Sequence, residues 1–181
     1  MTVPKRQIFL VLRVQAGDRE AFNELLKSVQ QRLFRYIYRL TGERALAEDI
    51  LQEVFIIIYR KIKWLENPKL FSAWTYRIAS RVSFQKLKTE KRWSEQIRDE
   101  EILKLAPAPA TQEIYEPELI ARIPDFLAEL SPASRAVIVL HYLEEMSLSQ
   151  VAEILDIAVG TAKSRLAYGL EGLRKIIRSE N

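Results

Sequence analysis

A segment near the C-terminus combines residue types that contact DNA with the spacing of one helix face. Its candidate contact residues are Gly160, Thr161, Lys163, Ser164, Arg165 and Tyr168. At 3.6 residues per turn, the small and aromatic members share one side of a helix, and the cations Lys163 and Arg165 lie on its two flanks. Small groups suit base edges in a groove, and flanking cations suit phosphates. The segment therefore predicts a surface that reads duplex DNA.

The residues before this segment predict a first helix that holds the reading helix in place. Ser147, followed three residues later by Gln150, forms a capping box, which predicts a helix start. Asp156 stands in the connecting turn, where a left-handed backbone is easiest for glycine and tolerable for aspartate. The second helix has a predicted buried side made of Ala162, Leu166, Leu170, Leu173 and Ile177. The pattern predicts a helix-turn-helix.

A second chemistry-bearing group is a row of cations along a helix predicted over residues 72–92. Its members are Arg77, Arg81, Lys88 and Arg92. Their spacings of 4, 7 and 4 residues place them within about 60° of one another around the helix. Such a row is repulsive unless an anion lies along it, and the simple alternative is a solvated face. The interleaved rings of Tyr76 and Phe84 favour nucleic acid, because aromatic rings stack on unpaired bases, whereas we assign Trp74 to the core.

A third group is acidic and polar and lies in the first half of a helix predicted over residues 45–62. Its members are Glu48, Asp49, Gln52 and Glu53. A solvated face near a helix N-terminus and a partner-binding face both remain open. Catalysis is not indicated, because the chain has no cysteine, no phosphate-cradling glycine loop and one histidine, His141, in an apolar run. We therefore expect no enzyme activity, no metal and no cofactor.

Apolar residues recur at three-to-four spacing through most of the chain, which predicts an all-α fold. The helical stretches are predicted at residues 6–40, 45–62, 72–92 and 118–178. Apolar residues make up 48% of the chain, enough for packed cores. No apolar run reaches the length of a membrane span, and no secretory signal pattern is present. We therefore expect a cytoplasmic protein without stable membrane insertion.

Composition and charge divide the chain into two small helical domains joined by a flexible linker. Residues 94–117 hold prolines, six acidic and two basic residues, and separate domains predicted at residues 1–93 and 118–181. Residues 1–93 carry 19 Lys/Arg and 9 Asp/Glu, a net charge of +10, and residues 94–181 carry 9 and 15, a net of −6. The basic half suits a polyanion, whereas the acidic half is atypical of a free-standing DNA binder.

Four segments carry a resemblance to a known family. They are Ala16-Gly17-Asp18-x-x-Ala21-Phe22, Ala47-Glu48-Asp49-Ile50-x-Gln52-Glu53-Val54-Phe55, Phe71-x-x-Trp74-x-Tyr76-Arg77-Ile78-Ala79 and the run from Gly160 to Leu166. In their order and spacing, which cover nearly the whole chain, they resemble bacterial sigma factors of the extracytoplasmic-function (ECF) group, the smallest members of the sigma-70 family.

The resemblance implies a division of labour between two domains. The N-terminal domain, sigma region 2, would dock on core RNA polymerase through Asp49, Gln52 and Glu53 and hold the melted −10 element against the cationic row. The C-terminal domain, sigma region 4, would read the −35 element through its helix-turn-helix. The implied partners are core RNA polymerase, promoter DNA and, because the family often uses one, a cognate anti-sigma factor.

The alternative is a stand-alone helix-turn-helix regulator that binds duplex DNA without polymerase. Such a protein needs an effector or dimerisation module, and the sequence offers none that we recognise. The chain departs from the family pattern at Arg81, where asparagine is common, at Gln85, where aspartate is frequent, and at Ala158, where proline is usual. These departures put in question which −10 sequence the protein would prefer, and they leave the fold prediction intact.

Overall fold

The computed structural model describes residues 5–89 and 123–179, and every regular element in these ranges is helical. The chain divides into two compact units, Met1–Phe84 and Gln85–Asn181. The predicted all-α fold with two helical domains is therefore confirmed. The linker predicted at residues 94–117 lies outside the described residues. Among the helices that are described, none is long and apolar enough to cross a membrane.

The described part of unit 1 contains four helices, and the last of them continues five residues past the unit boundary at Phe84. They are α1 (Lys5–Gln15), α2 (Arg19–Thr41), α3 (Arg44–Lys61) and α4 (Phe71–Thr89), and short 3-10 turns at Ile62–Trp64 and Pro68–Leu70 separate the last two. The helices predicted at residues 45–62 and 72–92 correspond to α3 and α4, of which α4 is described to Thr89. The prediction of one helical block over residues 6–40 is wrong in one respect, because the chain breaks between α1 and α2.

A glycine turn and an acidic cap make this break. Gly17 has a φ of 97°, which side chains with a Cβ rarely adopt. The carboxylate of Asp18 accepts hydrogen bonds from the N–H of Ala21 at 3.0 Å and from the guanidinium of Arg13 at 2.6 and 2.9 Å. The N–H of Ala21, and after it Arg13, holds the pKa of Asp18 below its ordinary value. The pair Gly17-Asp18 is a signal for one helix to end and another to begin. The prediction of a continuous helix followed the apolar spacing across this pair instead.

Helices α2 and α4 join through a polar contact inside the apolar core of unit 1. The hydroxyl of Tyr36 lies 2.7 Å from the hydroxyl of Ser80, which itself donates to the carbonyl of Tyr76 at 2.8 Å. The rings of Tyr36 and Tyr76 meet edge to face, with centroids 5.2 Å apart. Fully buried apolar side chains nearby are Leu25, Leu33, Ile37, Leu40, Ile50, Ile58 and Phe71. This core determines which side of α4 faces outward.

Unit 2 also contains four described helices. They are α5 (Ile123–Glu129), α6 (Pro132–Ile138), α7 (Leu148–Leu155) and α8 (Val159–Ser179), and a π-helical turn, Val139–Leu143, extends α6. Ser131 caps α6 by accepting from the N–H of Ser134, and Pro132 follows at the first helical position. This start is as the sequence predicts, because serine followed by proline satisfies and pre-shapes a helix N-terminus.

Arg135 ties α6 to the end of α5. Its guanidinium donates to the carbonyls of Ala128, at 2.5 Å, and of Leu130, at 2.7 Å. The side chain is only 5% exposed, and burial lowers the pKa of Arg135 to about 10, so it stays charged at neutral pH. Because carbonyls at a helix end lack partners within the helix, this buried cation satisfies groups that α5 leaves open.

Candidate nucleic-acid interface

The helix-turn-helix of unit 2 is built as the sequence predicts. Ser147 and Gln150 form a reciprocal capping box, with the N–H of Gln150 donating to the Ser147 hydroxyl at 3.3 Å and the N–H of Ser147 donating to the Gln150 side chain at 3.0 Å. Val151 and Ile154, on the inner side of α7, are buried. Asp156 ends the helix in the left-handed conformation, with φ 58° and ψ 49°. These local signals hold α8 at a defined angle to α7.

His141 belongs to the frame that precedes this motif. Its Nδ1 lies 2.7 Å from the carbonyl of Met146, and its ring meets Tyr142 edge to face. Glu145, between them, has a positive φ of 55°. The histidine therefore closes a tight turn between the π-helical segment and α7. Within the described residues, no group of three His, Asp or Glu side chains could hold a metal ion.

The predicted reading side of α8 is accessible along its first three turns. Gly160 and Lys163 are exposed, and Thr161, Ser164, Arg165 and Tyr168 are partly exposed. Ala162 is fully buried on the opposite side. The rest of the predicted buried side, Leu166, Leu170, Leu173 and Ile177, is only half-buried. The sequence therefore overestimates the burial of these four residues, because a unit of this size cannot cover every apolar position of a 21-residue helix.

The hydroxyl of Ser164 has a defined hydrogen-bonding role. It donates to the carbonyl of Thr161 at 3.0 Å, which uses its only proton. Its two lone pairs remain, so in this conformation the Ser164 hydroxyl can act toward an outside partner only as a hydrogen-bond acceptor. Amino groups of adenine and cytosine are the donors that the major groove presents.

The cationic row on α4 is present over the described residues. Arg81 and Lys88 are exposed, and Arg77 and Phe84 are partly exposed. Arg92 lies outside the described residues. The row therefore presents cations over at least three turns of one helix face, with one aromatic ring between them.

Tyr76 does not belong to this surface. Its side chain is 3% exposed, and its ring packs against Tyr36 in the core. The prediction that Tyr76 stacks on bases is therefore wrong for this structure, because the ring would have to leave the core to reach a ligand. Trp74, which the sequence assigns to the core, is instead partly exposed and lies beside Phe71, with ring centroids 6.1 Å apart.

The structure adds an aromatic residue that the periodicity missed. Trp64 is 74% exposed and ends the 3-10 turn after α3, with the exposed cation Lys63 beside it. It falls outside the helical pattern of α3, so its position gave no core signal. The available clue is a tryptophan next to lysine, just before the Asn67-Pro68 turn.

The predicted polar docking group lies on the outer side of α3. Asp49 and Gln52 are exposed, and Glu53 is partly exposed. Ile56, one turn further along, is 51% exposed and was missed because it resembles a core residue in sequence. These four residues give α3 a surface that is polar at one end and apolar at the other.

A groove of about 570 Å³ lies beside this surface, between α2 and α3. Its walls are Lys27, Gln30, Gln31, Phe34, Arg44, Glu48, Leu51, Gln52 and Phe55. Gln52 belongs to both the groove and the docking group. Arg44 and Glu48 form an exposed ion pair at 2.9 Å at its edge.

Comparison with known proteins agrees with both units. Residues 25–93 match the family described as Sigma-70 region 2, and residues 126–175 match Sigma-70, region 4. The chain is 32% identical over 189 residues to the ECF RNA polymerase sigma factor SigW of Bacillus subtilis, covering 98% of each chain.

Solved structures share the fold. CnrH, solved in complex with the cytosolic domain of CnrY, matches with a TM-score of 0.71 and 19% identity, covering 98% of this chain and 100% of that one. RpoE of Bartonella quintana, solved with the anti-sigma factor NepR, matches with a TM-score of 0.64 and 22% identity, covering 88% and 98%.

These features define a non-enzymatic transcription initiation factor, an RNA polymerase sigma factor that works with core RNA polymerase and promoter DNA. The chain belongs to the ECF group of the sigma-70 family. Matches to both regions favour this function over a stand-alone helix-turn-helix regulator, which has no use for a region 2 domain.

Proposed function

We propose that the two units divide promoter recognition between them. Unit 1 docks on core polymerase through α3 and holds the melted −10 element along α4, and unit 2 reads the −35 element through α8. The observation that carries this proposal is that unit 1 presents two exposed surfaces of different chemistry. The α3 surface is acidic and apolar, and the α4 surface is cationic and aromatic.

For polymerase docking, we infer that Asp49, Gln52 and Glu53 supply charge and hydrogen bonds around an apolar centre at Ile56. Interfaces of this kind owe most of their affinity to a desolvated apolar anchor, and the polar rim sets orientation. Ile56 is the exposed apolar residue nearest the three polar ones along α3. An exposed isoleucine gains from burial, which gives this surface a reason to bind a protein.

For the −10 element, the proposed contacts are Arg77, Arg81 and Lys88 to phosphates and Phe84 to bases. Arg92 extends this set as a prediction from the sequence. Trp64 is a further stacking candidate, because an exposed ring beside a lysine suits an unpaired base. Tyr76 supports the surface from within the core.

The −10 assignment is tested with Arg81→Ala, and Arg19→Ala, an exposed cation at the start of α2, serves as the matched control. We expect Arg81→Ala to weaken binding of the holoenzyme to a melted −10 strand and to reduce the slope of log affinity against log salt by about 0.7 for one lost contact. Equal slopes for both variants would contradict the assignment.

For the −35 element, the proposed contacts are the exposed and partly exposed residues of α8. They are Gly160, Thr161, Lys163, Ser164, Arg165 and Tyr168. Arg165→Ala is expected to lower promoter use and leave thermal stability near wild type, because its removal opens no core cavity.

We further propose that the protein acts in the cytoplasm, where RNA polymerase works, and that an anti-sigma factor restrains it. The support for regulation is that RpoE, which has the same fold, was solved with the anti-sigma factor NepR, and that CnrH was solved with another protein, the cytosolic domain of CnrY. Co-purification of the chain from its host, with and without core polymerase, tests this point.

The function as a whole is tested by transcription from reconstituted components. Core polymerase with the chain is expected to initiate at specific promoters, and the chain alone is expected to bind duplex DNA weakly, because residues 94–181 carry a net charge of −6. Tight, specific binding of duplex DNA without polymerase would favour the stand-alone regulator instead.

A further inference from the structure

Two of the five glycines in the chain lie inside the reading helix α8, at Gly169 and Gly172. Glycine is the least favourable residue in a helix interior apart from proline, so its presence calls for a local reason. A Cβ at position 169 would lie 2.5 Å from Cδ1 of Ile138 and 3.4 Å from Cβ of Ser134. A Cβ at position 172 would lie 2.7 Å from Cδ2 of Leu130. Alanine at either position would press on the terminal methyl group of a side chain, that of Ile138 in α6 or that of Leu130, which follows α5.

The collision is specific to these two positions within α8. A Cβ at Gly160, at the start of the same helix, would have no described atom within 4 Å apart from its own chain neighbours. The two interior glycines therefore permit a close approach between α8 and its neighbours. Ile138 and Leu130 are themselves 5% and 7% exposed, so neither side chain has open solvent into which it can move.

This close approach controls the tilt of the reading helix. Ala162, fully buried, seats the first turns of α8, and Gly169 lies seven residues later, about 10 Å along the axis. Restoring an ordinary carbon–carbon distance of about 3.5 Å at position 169 requires a shift of about 1 Å. Pivoting about Ala162, that shift tilts the helix by about 6° and moves Tyr168 by nearly 1 Å, whereas Arg165 and the contact residues before it move by less than about 0.5 Å, so the tilt acts mainly on Tyr168. Hydrogen bonds tolerate only about 0.5 Å of variation in length.

We propose that Gly169 and Gly172 are positioning residues that seat α8 on α6 and thereby set the geometry of −35 reading. The proposal rests on the proposed function of α8 as the −35 reader. Ile138 is the complementary partner, because valine at that position lacks Cδ1, the atom nearest to the missing methyl group of Gly169.

The test uses the full chain with core polymerase and compares Gly169→Ala, Ile138→Val and the double variant. Transcription is measured from a promoter that the wild-type holoenzyme uses and from the same promoter with its −35 element scrambled, and the ratio of the two is taken. We expect Gly169→Ala to lower this ratio by about fivefold or more, the loss of one well-formed base contact. Ile138→Val is expected to change it little, and the double variant is expected to recover most of it.

An unchanged ratio for Gly169→Ala, or no recovery in the double variant, would overturn the proposal. Thermal unfolding gives an independent reading, because helix propensity alone predicts that Gly169→Ala raises Tm, whereas a collision lowers it and Ile138→Val relieves the loss. If Gly169→Ala fails to fold, Gly172→Ala repeats the comparison with Leu130→Val as its partner, because valine lacks the Cδ2 atom that a Cβ at position 172 would meet. If the wild-type holoenzyme transcribes the intact and the scrambled promoter equally well, −35 reading by α8 is itself wrong. The Tm values of the two single variants and the double variant would then still show whether a methyl group at position 169 presses on the side chain at position 138.

Discussion

The side-chain amide of Gln15, the last residue of α1, donates to the carbonyl of Ile62 at 2.9 Å, where α3 gives way to a 3-10 turn. The same amide donates to the carbonyl of Leu65 at 2.8 Å. One side chain therefore holds both ends of the turn that presents Trp64. Turn carbonyls have few hydrogen-bond partners of their own. This contact from a distant helix therefore holds in place the backbone that carries the exposed ring.

Gln15→Ala is expected to remove both hydrogen bonds and to lower the free energy of unfolding by about 1–2 kcal/mol. It is also expected to weaken −10 binding by the holoenzyme, because the turn loses its anchor. Chemical denaturation measures the first effect. Gln30→Ala, an exposed glutamine on α2, is the control and is expected to leave stability near wild type.

Trp64→Ala removes the ring and leaves the Gln15 hydrogen bonds that hold its turn, so it tests the ring alone. We expect little change in stability, because the side chain is 74% exposed, and a loss of about 1–3 kcal/mol in binding a melted −10 strand, the worth of one stacked base. Trp64→Phe should retain part of this affinity. Binding of a single-stranded −10 oligonucleotide by the holoenzyme measures it, and an alanine variant that binds as well as wild type would remove Trp64 from the −10 surface.

The buried pair of Tyr36 and Ser80 gives a third prediction. Tyr36→Phe keeps the ring and removes the hydroxyl, and Ser80 retains its bond to the carbonyl of Tyr76. The expected loss is about 1 kcal/mol of stability. Tyr36→Ala opens a core cavity and is expected to cost about 3–5 kcal/mol. Comparable losses in the two variants, measured by urea denaturation, would show that the hydroxyl contact dominates over packing.

Asp18 predicts a pH dependence. Its folded-state pKa is lowered, first by the N–H of Ala21 and then by Arg13, so its carboxylate stabilises the fold above the ordinary value of 3.8. That stabilisation is lost as pH falls through the folded-state value. Asp18→Asn keeps an acceptor for the helix cap but has no charge to titrate, so its Tm should fall less than that of the wild type between neutral pH and about pH 3. Glu20→Gln, in the first turn of the same helix, is the matched control for removal of one carboxylate.

Local backbone chemistry made parts of the fold predictable from the sequence. The capping box of Ser147 and Gln150, the left-handed Asp156 and the Ser131-Pro132 helix start are each decided by a few neighbouring atoms. The all-α class follows from apolar periodicity, which is equally local. Such features need no knowledge of the tertiary contacts.

The facing of individual aromatic residues was harder to predict. Tyr76 and Trp74 lie two positions apart on α4, and the sequence assigns them to surface and core, whereas the structure buries Tyr76 and leaves Trp74 partly exposed. The choice depends on Tyr36, 40 residues away in sequence, whose ring packs against that of Tyr76. Periodicity finds the apolar side of a helix but not its partner, and the exposed Ile56 was missed for the same reason, whereas Trp64 was missed because it lies outside the helical pattern.

The docking surface of α3 can be tested through Ile56. Ile56→Ser removes a half-exposed apolar group, so we expect the fold to be nearly unaffected and the affinity for core polymerase to fall by about 1–2 kcal/mol, as for a moderately important interface residue. Leu70→Ser, at 47% exposure against 51% for Ile56, is the matched control on the same unit. Competition with the unmodified chain for a limited amount of core polymerase measures both. If the two serine variants compete equally well, α3 binds polymerase through its polar residues alone, and the apolar centre that we assign to Ile56 is wrong.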